Sequence, residues 1–435
     1  MHLNRIRVSV PFRTAFSIVL LCAACAGPPP EAPDADPVAE ILQRHMVIDP
    51  AVTTRFFRFP EEPETSFDPS ALLAEGIDVA VLGVGTVTEA LLIGDLSDYW
   101  YTSPPPGYVI AHSVFTGADA VKRFLWEIDA VHETATAHPE VEVALTADDL
   151  ERHRAEGKLS LMLGVDSGIV VEDLATLRVY HKLGLRRLEL AHAFPASWAD
   201  ACSGILDDDD LGLNDFGLEV VRECNRLGIL VDLSHSSDQT MDEAIEASGK
   251  PVIASHSGAR GVVDAVRNLT DDQIKALAQK GGLIAVGAMY DPKHLEPIRK
   301  TGAWITMAKV NNYLLERYPD PFRLAAAIRN PAEKQAARQA LDLEPLSSLH
   351  RVRPRSGVIT QGATVEGTLD HIDYIVKLVG IDHVSIGTDT DIGREDYTWL
   401  YQQFVGGLLE RGYPEEDIVK ILSGNFLRVL RANEE

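Results

Sequence analysis

From residue 40 onward, short apolar segments alternate with longer stretches in which apolar positions recur every three or four residues. This alternation predicts strands joined by crossover helices, and therefore a parallel sheet. The strand candidates are Met46–Ile48, Val79–Leu82, Leu159–Leu163, Arg187–Leu190, Leu230–Leu233, Val252–Ala254, Leu283–Val286 and Val384–Ile386, eight in all. Between them, Thr270 with Gln273 reads as a capping box, followed by Ile274, Leu277 and Ala278 on one helical face and closed by Gly281. Ser236 with Gln239 repeats that device, and Phe216, Val220, Cys224 and Leu227 form another buried stripe ended by Gly228.

Eight strands with crossover helices point to an α/β fold of the closed (β/α)8 TIM-barrel type, with inserted helices, rather than an open doubly wound sheet. No nucleotide-binding glycine loop follows any of these strands. Two stretches are too long for plain connections, Gly83 to Lys158 and Tyr290 to Val365. The first holds a loop at Trp100–Pro106 and then an amphipathic helix with Val121, Phe124, Leu125, Ile128 and Val131 on one side. The second reads as extra helices, Pro331–Ala340 among them, and insertions of this kind shape substrate mouths in barrels.

Composition narrows the partners. A formal charge of −25 argues against nucleic acid and against anionic membrane surfaces, both of which repel an acidic protein. A small neutral or zwitterionic molecule is the easier partner, and a homodimer is compatible with the sequence. The acidic run Asp207–Asp210 reads as a solvated loop in preference to a calcium site.

Residues 1–26 have the form of an export signal: His2, Arg5, Arg7 and Arg13 precede the apolar run Phe16–Leu21 and then small residues. The segment is too short to span a membrane. Cleavage after Ala26 is one reading; the favoured one is lipidation of Cys25, which would make the chain a periplasmic or outer-membrane lipoprotein of a bacterium, touching membrane only through that anchor. Residues 27–38, rich in proline, read as an extended tether, leaving 39–435 as the barrel. Beyond the signal only Cys202 and Cys224 remain, and Cys224 on an apolar helix face favours a buried thiol over a disulfide.

The candidate chemistry follows the strands. Barrel enzymes place catalytic groups at the C-terminal ends of strands, and here those ends carry Asp166, His192, His235, His256 and Asp389. Imidazoles and carboxylates are the ligands of hydrolytic zinc sites, which keep a position open for water. Taken singly, each residue has an ordinary reading: a histidine bonded to backbone, or an aspartate capping a turn. His235 and His256, 21 residues apart at the ends of consecutive strands, favour a shared ion.

At these residues the chain resembles the renal (membrane) dipeptidase family of the amidohydrolase superfamily, from about Ile41 to Leu430. The stretches that carry the resemblance are Leu190–His192 with Trp198–Asp200, Phe216–Gly217 through Val231–His235, Ala254–Ser257, Arg267–Asp272, and His371–Ile375 leading to Gly387–Asp389. The resemblance implies a zinc-dependent peptidase that cleaves dipeptides, often tolerating a D-residue on the C-terminal side, with two zinc ions bridged by a carboxylate. It implies that His235 and His256 bind one ion, and that Asp389 binds the other and handles the proton of the attacking water. It further implies that His192 steadies the oxyanion and that Arg267 grips the substrate carboxylate, as a guanidinium can do bidentately.

The chain departs from that pattern where the family has a His-x-Asp pair, since it reads Asp49–Thr53 there with Ala51 and Thr53 at the two ligand positions. Asp166 stands in for the bridging glutamate and is one methylene shorter. The expectation is a reduced site in which one Zn2+ is favoured over the two of the family. A one-metal dipeptidase is the leading reading; a barrel that binds a small carboxylate without turnover, or a hydrolase of another amide or lactone, are the alternatives.

Overall fold

All eight expected strands are present in the computed structural model, in the expected order. The structure describes residues 36–53, 69–84, 118–192, 195–202, 211–287, 331–341, 364–391 and 397–435, with Tyr313 and Arg317. The expectations for the export signal, Cys25, the tether up to residue 35, Trp100–Pro106 and Asp207–Asp210 lie outside the described residues.

The strands are β1 (Ile48–Thr53), β2 (Val79–Val84), β3 (Val141–Val143), β4 (Leu159–Val165), β5 (Leu185–Glu189), β6 (Leu230–Asp232), β7 (Ile253–Ser257), β8 (Leu283–Val286), β9 (Val384–Ile386) and β10 (Thr390–Asp391). Every pairing is parallel, in the order β10-β1-β2-β4-β5-β6-β7-β8-β9, with β3 an extra short strand beside β4. β9 and β10 are two halves of one stave interrupted at Gly387–Asp389; β9 pairs with β8 and β10 with β1. The result is a nearly closed barrel of eight parallel staves with helices between them, the (β/α)8 fold, and from Val38 onward the chain forms one unit.

Alternation along the strands sorts side chains between the helix layer and the barrel interior. Ala80, Leu82 and Leu188 join the large cluster that meets the surrounding helices. Ile48, Val79, Val81, Met162, Leu230, Ile253 and Leu283 form a separate apolar cluster filling the interior near the N-terminal ends of the strands, where Phe426, Val429 and Leu430 of the last helix, Asn425–Glu434, pack against them. Farther along the same interior faces come Arg187, Glu189 and Asp232, all fully buried. The plug is therefore apolar below and charged above, toward the end where the chemistry was expected.

Several local expectations are met and some are corrected. Thr270 caps Asp271–Gln279 with the full capping box, and Gly228, at φ 76°, ends Asp215–Leu227 in the left-handed conformation that glycine adopts without strain. The cap of Asp238–Ala247 is Ser237, not Ser236: its hydroxyl accepts from Thr240 N. Asp49–Thr53 does not follow the first strand but lies inside β1, which bulges between Asp49 and Val52. Cys202 and Cys224 are both free thiols, Cys224 buried as expected.

Candidate active site

His235, three residues past the end of β6, and His256, the penultimate residue of β7, point their rings together, with Nε2 atoms 3.1 Å apart. His192, past the end of β5, stacks flat on His235. Among the described residues, the potential metal-ligand atoms that converge come from these three histidines and Glu189, all within 4.8 Å of one another. Asp166 and Asp389 are not in that group.

The backbone is shaped to aim these groups. Among the described residues the non-glycine residues with positive φ are His235, at 67°, and Asp389, at 51°. Holding an ordinary side chain in this region costs on the order of 1 kcal/mol or more, and such strain gathers at functional sites. At Asp389 the conformation is held by its amide, which donates to Ala51 O (2.9 Å), and by Thr388, whose amide and hydroxyl donate to the Asp49 carboxylate at 3.1 and 2.6 Å. Asp49 is fully buried, and that burial raises its pKa to about 6 despite these bonds. At β7, the Ser255 hydroxyl meets His256 Nδ1 at 2.7 Å and so orients the ring, while Ser234 Oγ accepts the His256 amide. Arg267 Nη1 donates to Ser257 Oγ (2.9 Å) and Nη2 to His256 O (3.1 Å), so this buried guanidinium braces the strand end that carries His256.

Burial, and then the Arg267 charge, hold His235 and His256 well below the usual histidine pKa. His192 is lowered to about 4, chiefly by burial, against the opposing pull of Asp166 and Asp389. All three imidazoles are neutral at physiological pH, the state in which a ring nitrogen has a lone pair to give. Glu189 is raised well above the carboxylate range by burial and by Asp166 and Asp232, with Arg187 opposing.

The donors fit a metal ion. Two imidazole nitrogens bound tetrahedrally at about 2.05 Å would lie about 3.3 Å apart, close to the separation found here. Neither carboxylate oxygen of buried Glu189 makes a hydrogen bond, and its cationic neighbour Arg187 Nη1 stands off at 3.5 Å, so its lone pairs are available to an ion.

Asp166 is engaged elsewhere. Its Oδ1 is 2.5 Å from Arg187 Nη2, and Arg187 Nη1 reaches Asp232 Oδ2 at 2.6 Å and Glu189 Oε2 at 3.5 Å. Two glycines make room for this: a Cβ on Gly83 would fall 1.9 Å from Asp166 Oδ2, and one on Gly164 would fall 2.7 Å from Arg187 Nε. Sequence reasoning placed Asp166, His192, His235, His256 and Asp389 at strand ends; Asp166, His192 and His235 follow strands of the barrel, His256 is the penultimate residue of β7, and Asp389 lies between β9 and β10. It passed over Arg187 and Glu189. The available signal was two charged residues at alternate positions of a strand expected to be apolar on both faces.

Comparison with known proteins adds the relationship. The family model for membrane dipeptidase, peptidase family M19, matches residues 40–435. Dipeptidase 3 of Mus musculus is 29% identical over 327 residues, 73% of this chain and 52% of that protein. Dipeptidase tcpJ of Claviceps purpurea is 29% identical over 303 residues, 68% of this chain and 56% of that protein. The chain thus spans about half the length of these relatives. Among solved structures, the probable dipeptidase PvdM from Pseudomonas aeruginosa superposes with a TM-score of 0.63 at 23% identity, covering 91% of this chain and 97% of that one. A metallopeptidase from Rhodobacter sphaeroides, liganded with a phosphinate mimic of the dipeptide L-Ala-D-Ala, gives 0.57 at 17% identity, covering 89% and 99%. Both likenesses concern the fold.

Proposed function

The chain belongs to the membrane dipeptidase family, and from that premise we propose that it hydrolyses dipeptides with one bound zinc ion. The observation that carries the reading is the pair of neutral, buried imidazoles with Nε2 atoms 3.1 Å apart at the C-terminal mouth of the barrel. His235 and His256 would hold the ion, which when bound supplies a water activated at neutral pH and polarises the scissile carbonyl.

The chain's own residues divide the remaining work. His192, neutral and held flat on His235, donates an N–H to the oxygen on which negative charge develops, and is worth most because that charge appears only in the transition state. Asp389, fixed in its left-handed conformation above β9, takes the proton of the attacking water. Arg267 gives the site a fixed positive charge beside the imidazoles, suited to the free carboxylate that distinguishes a dipeptide from a longer peptide. Asp166, clamped by Arg187, orders the barrel interior beneath them. The export reading of residues 1–26 places the enzyme in the cell envelope, anchored through Cys25.

The deciding experiment pairs metal analysis by plasma mass spectrometry with hydrolysis of a panel of L,L and L,D dipeptides. About one zinc per chain with turnover is expected. A protein that takes up no metal, or that captures dipeptides without cleaving them when zinc is supplied, overturns the reading.

A further inference from the structure

The interior of the barrel contains a cation of its own. Arg187 is fully buried, and its guanidinium is enclosed by Asp166, Asp232 and Glu189 together with the carbonyl oxygen of Leu82 at 3.3 Å. The surroundings are built around it. Gly83 and Gly164 leave out the side chains that would strike Asp166 and Arg187, and Asp232 is itself fixed by the amides of Ser234 and Ser255 at 3.1 and 2.9 Å on its other oxygen. Ala51, buried in β1, has no ligand atom to offer a second ion. One face of the Arg187 network is closed on Asp166 and Asp232, where its bonds are short. The other opens on Glu189, which stands at 3.5 Å, makes no hydrogen bond and converges with the imidazoles.

We propose that this is a one-ion centre of new composition, in which Glu189, His235 and His256 are the protein ligands and the Arg187 guanidinium, locked to Asp166, occupies the electrostatic place of a second cation. Two imidazoles and one carboxylate are a ligand set that hydrolytic zinc uses, with the fourth position left for water. The assignment leaves His192 to the substrate and makes Asp166 a partner of Arg187 instead of a metal ligand. It also accounts for Glu189: a carboxylate buried between a guanidinium and a metal ion has both its charge and its lone pairs used. The inference rests on the metal-dependent reading above but not on the identity of the substrate.

The test is metal binding, measured without substrate on the purified full chain. Zinc stoichiometry and affinity would be determined by calorimetry, and the coordination followed by the visible absorption of the Co2+-loaded protein. The expected result is one ion per chain, an affinity at least about tenfold weaker in Glu189→Gln, and in Asp166→Asn, which loosens Arg187 but removes no ligand, one ion still bound in the same coordination. The Co2+ spectrum should change in the first variant and not in the second. Two ions per chain in the wild type, which needs no variant to detect, would overturn the proposal. So would a folded Glu189→Gln protein that binds as tightly as wild type, or an Asp166→Asn protein whose Co2+ spectrum shows a lost ligand. One tightly bound ion without dipeptide cleavage would sink the peptidase reading and leave this one standing.

Discussion

The ring of His192 lies against that of His235 with ring centres 3.7 Å apart and planes inclined by 17°. Within this stacked pair of imidazoles the His235 ring presents its Nε2 toward His256, and the proposed function gives His192 to the substrate. His192→Phe keeps a flat ring over His235 and removes the N–H. We expect kcat for dipeptides to fall about 10²–10³-fold with metal content unchanged. Metal analysis alongside steady-state kinetics separates the two effects, and loss of the ion in this variant would make His192 a ligand.

Arg267 is expected to act on substrate binding as well as on the strand end it braces. Replacing it with Met should raise the KM for dipeptides and lower kcat/KM by about 10- to 100-fold, the scale of a lost hydrogen-bonded charge pair. The readout is the kinetic pair measured on protein whose thermal melt shows it folded. Equal kinetics would remove Arg267 from substrate recognition and leave only its bonds to Ser257 and His256.

Away from the site, His371 should control part of the acid stability. It is buried on the helix Val365–Val379, and its Nδ1 accepts the amide of Ala259 at 2.9 Å. Burial lowers its pKa from 6.5 to about 4. A depressed folded pKa means that the neutral form is the one the fold stabilises, so the contribution is fully present above pH 6.5 and is lost as pH falls toward 4. The size is about 3 kcal/mol across that window. In His371→Asn the side-chain oxygen can accept the same amide and does not titrate. Urea unfolding at pH 7 and at pH 4.5 should therefore show a smaller acid loss in the variant than in wild type, and parallel losses would show that His371 is not the group responsible.

How much of this was legible depended on where each residue sits in its element. Asp166, His192, His235, His256 and Asp389 were legible as candidates because barrel topology draws attention to the C-terminal ends of strands, whatever the neighbouring residues. Glu189 and Arg187 were missed because they lie within a strand, where the pattern of surrounding apolar residues suggests packing; only the placement of β5 between β4 and β6 reveals that Arg187 meets Asp166 and Asp232 and that Glu189 converges with the imidazoles. β3 has three residues and β10 two, too few for periodicity to register, and the left-handed turn at Asp389 divides the last stave. Ser236 and Ser237 differ by one position, and local sequence carries both; the choice fell to the residue whose hydroxyl reaches Thr240. The closure of the barrel followed from the count of strands, while the charged layer inside it depended on side-chain direction.

The seam between the first and last staves also bears on how the molecule is made. Asp49 and Thr388, whose bonds hold that seam, are separated by 339 residues, so the loop their contact closes takes in most of the chain. Contacts of such sequence separation form late and slowly, since the entropy of bringing the ends together is lost before any packing rewards it. Until they form, β1 and β10 present unpaired parallel edges, the features through which partly folded chains associate with one another. Asp389 sits on that seam, so its placement and the loss of those sticky edges are one event in folding, and a chain in which the seam stays open would both misplace Asp389 and be prone to aggregate.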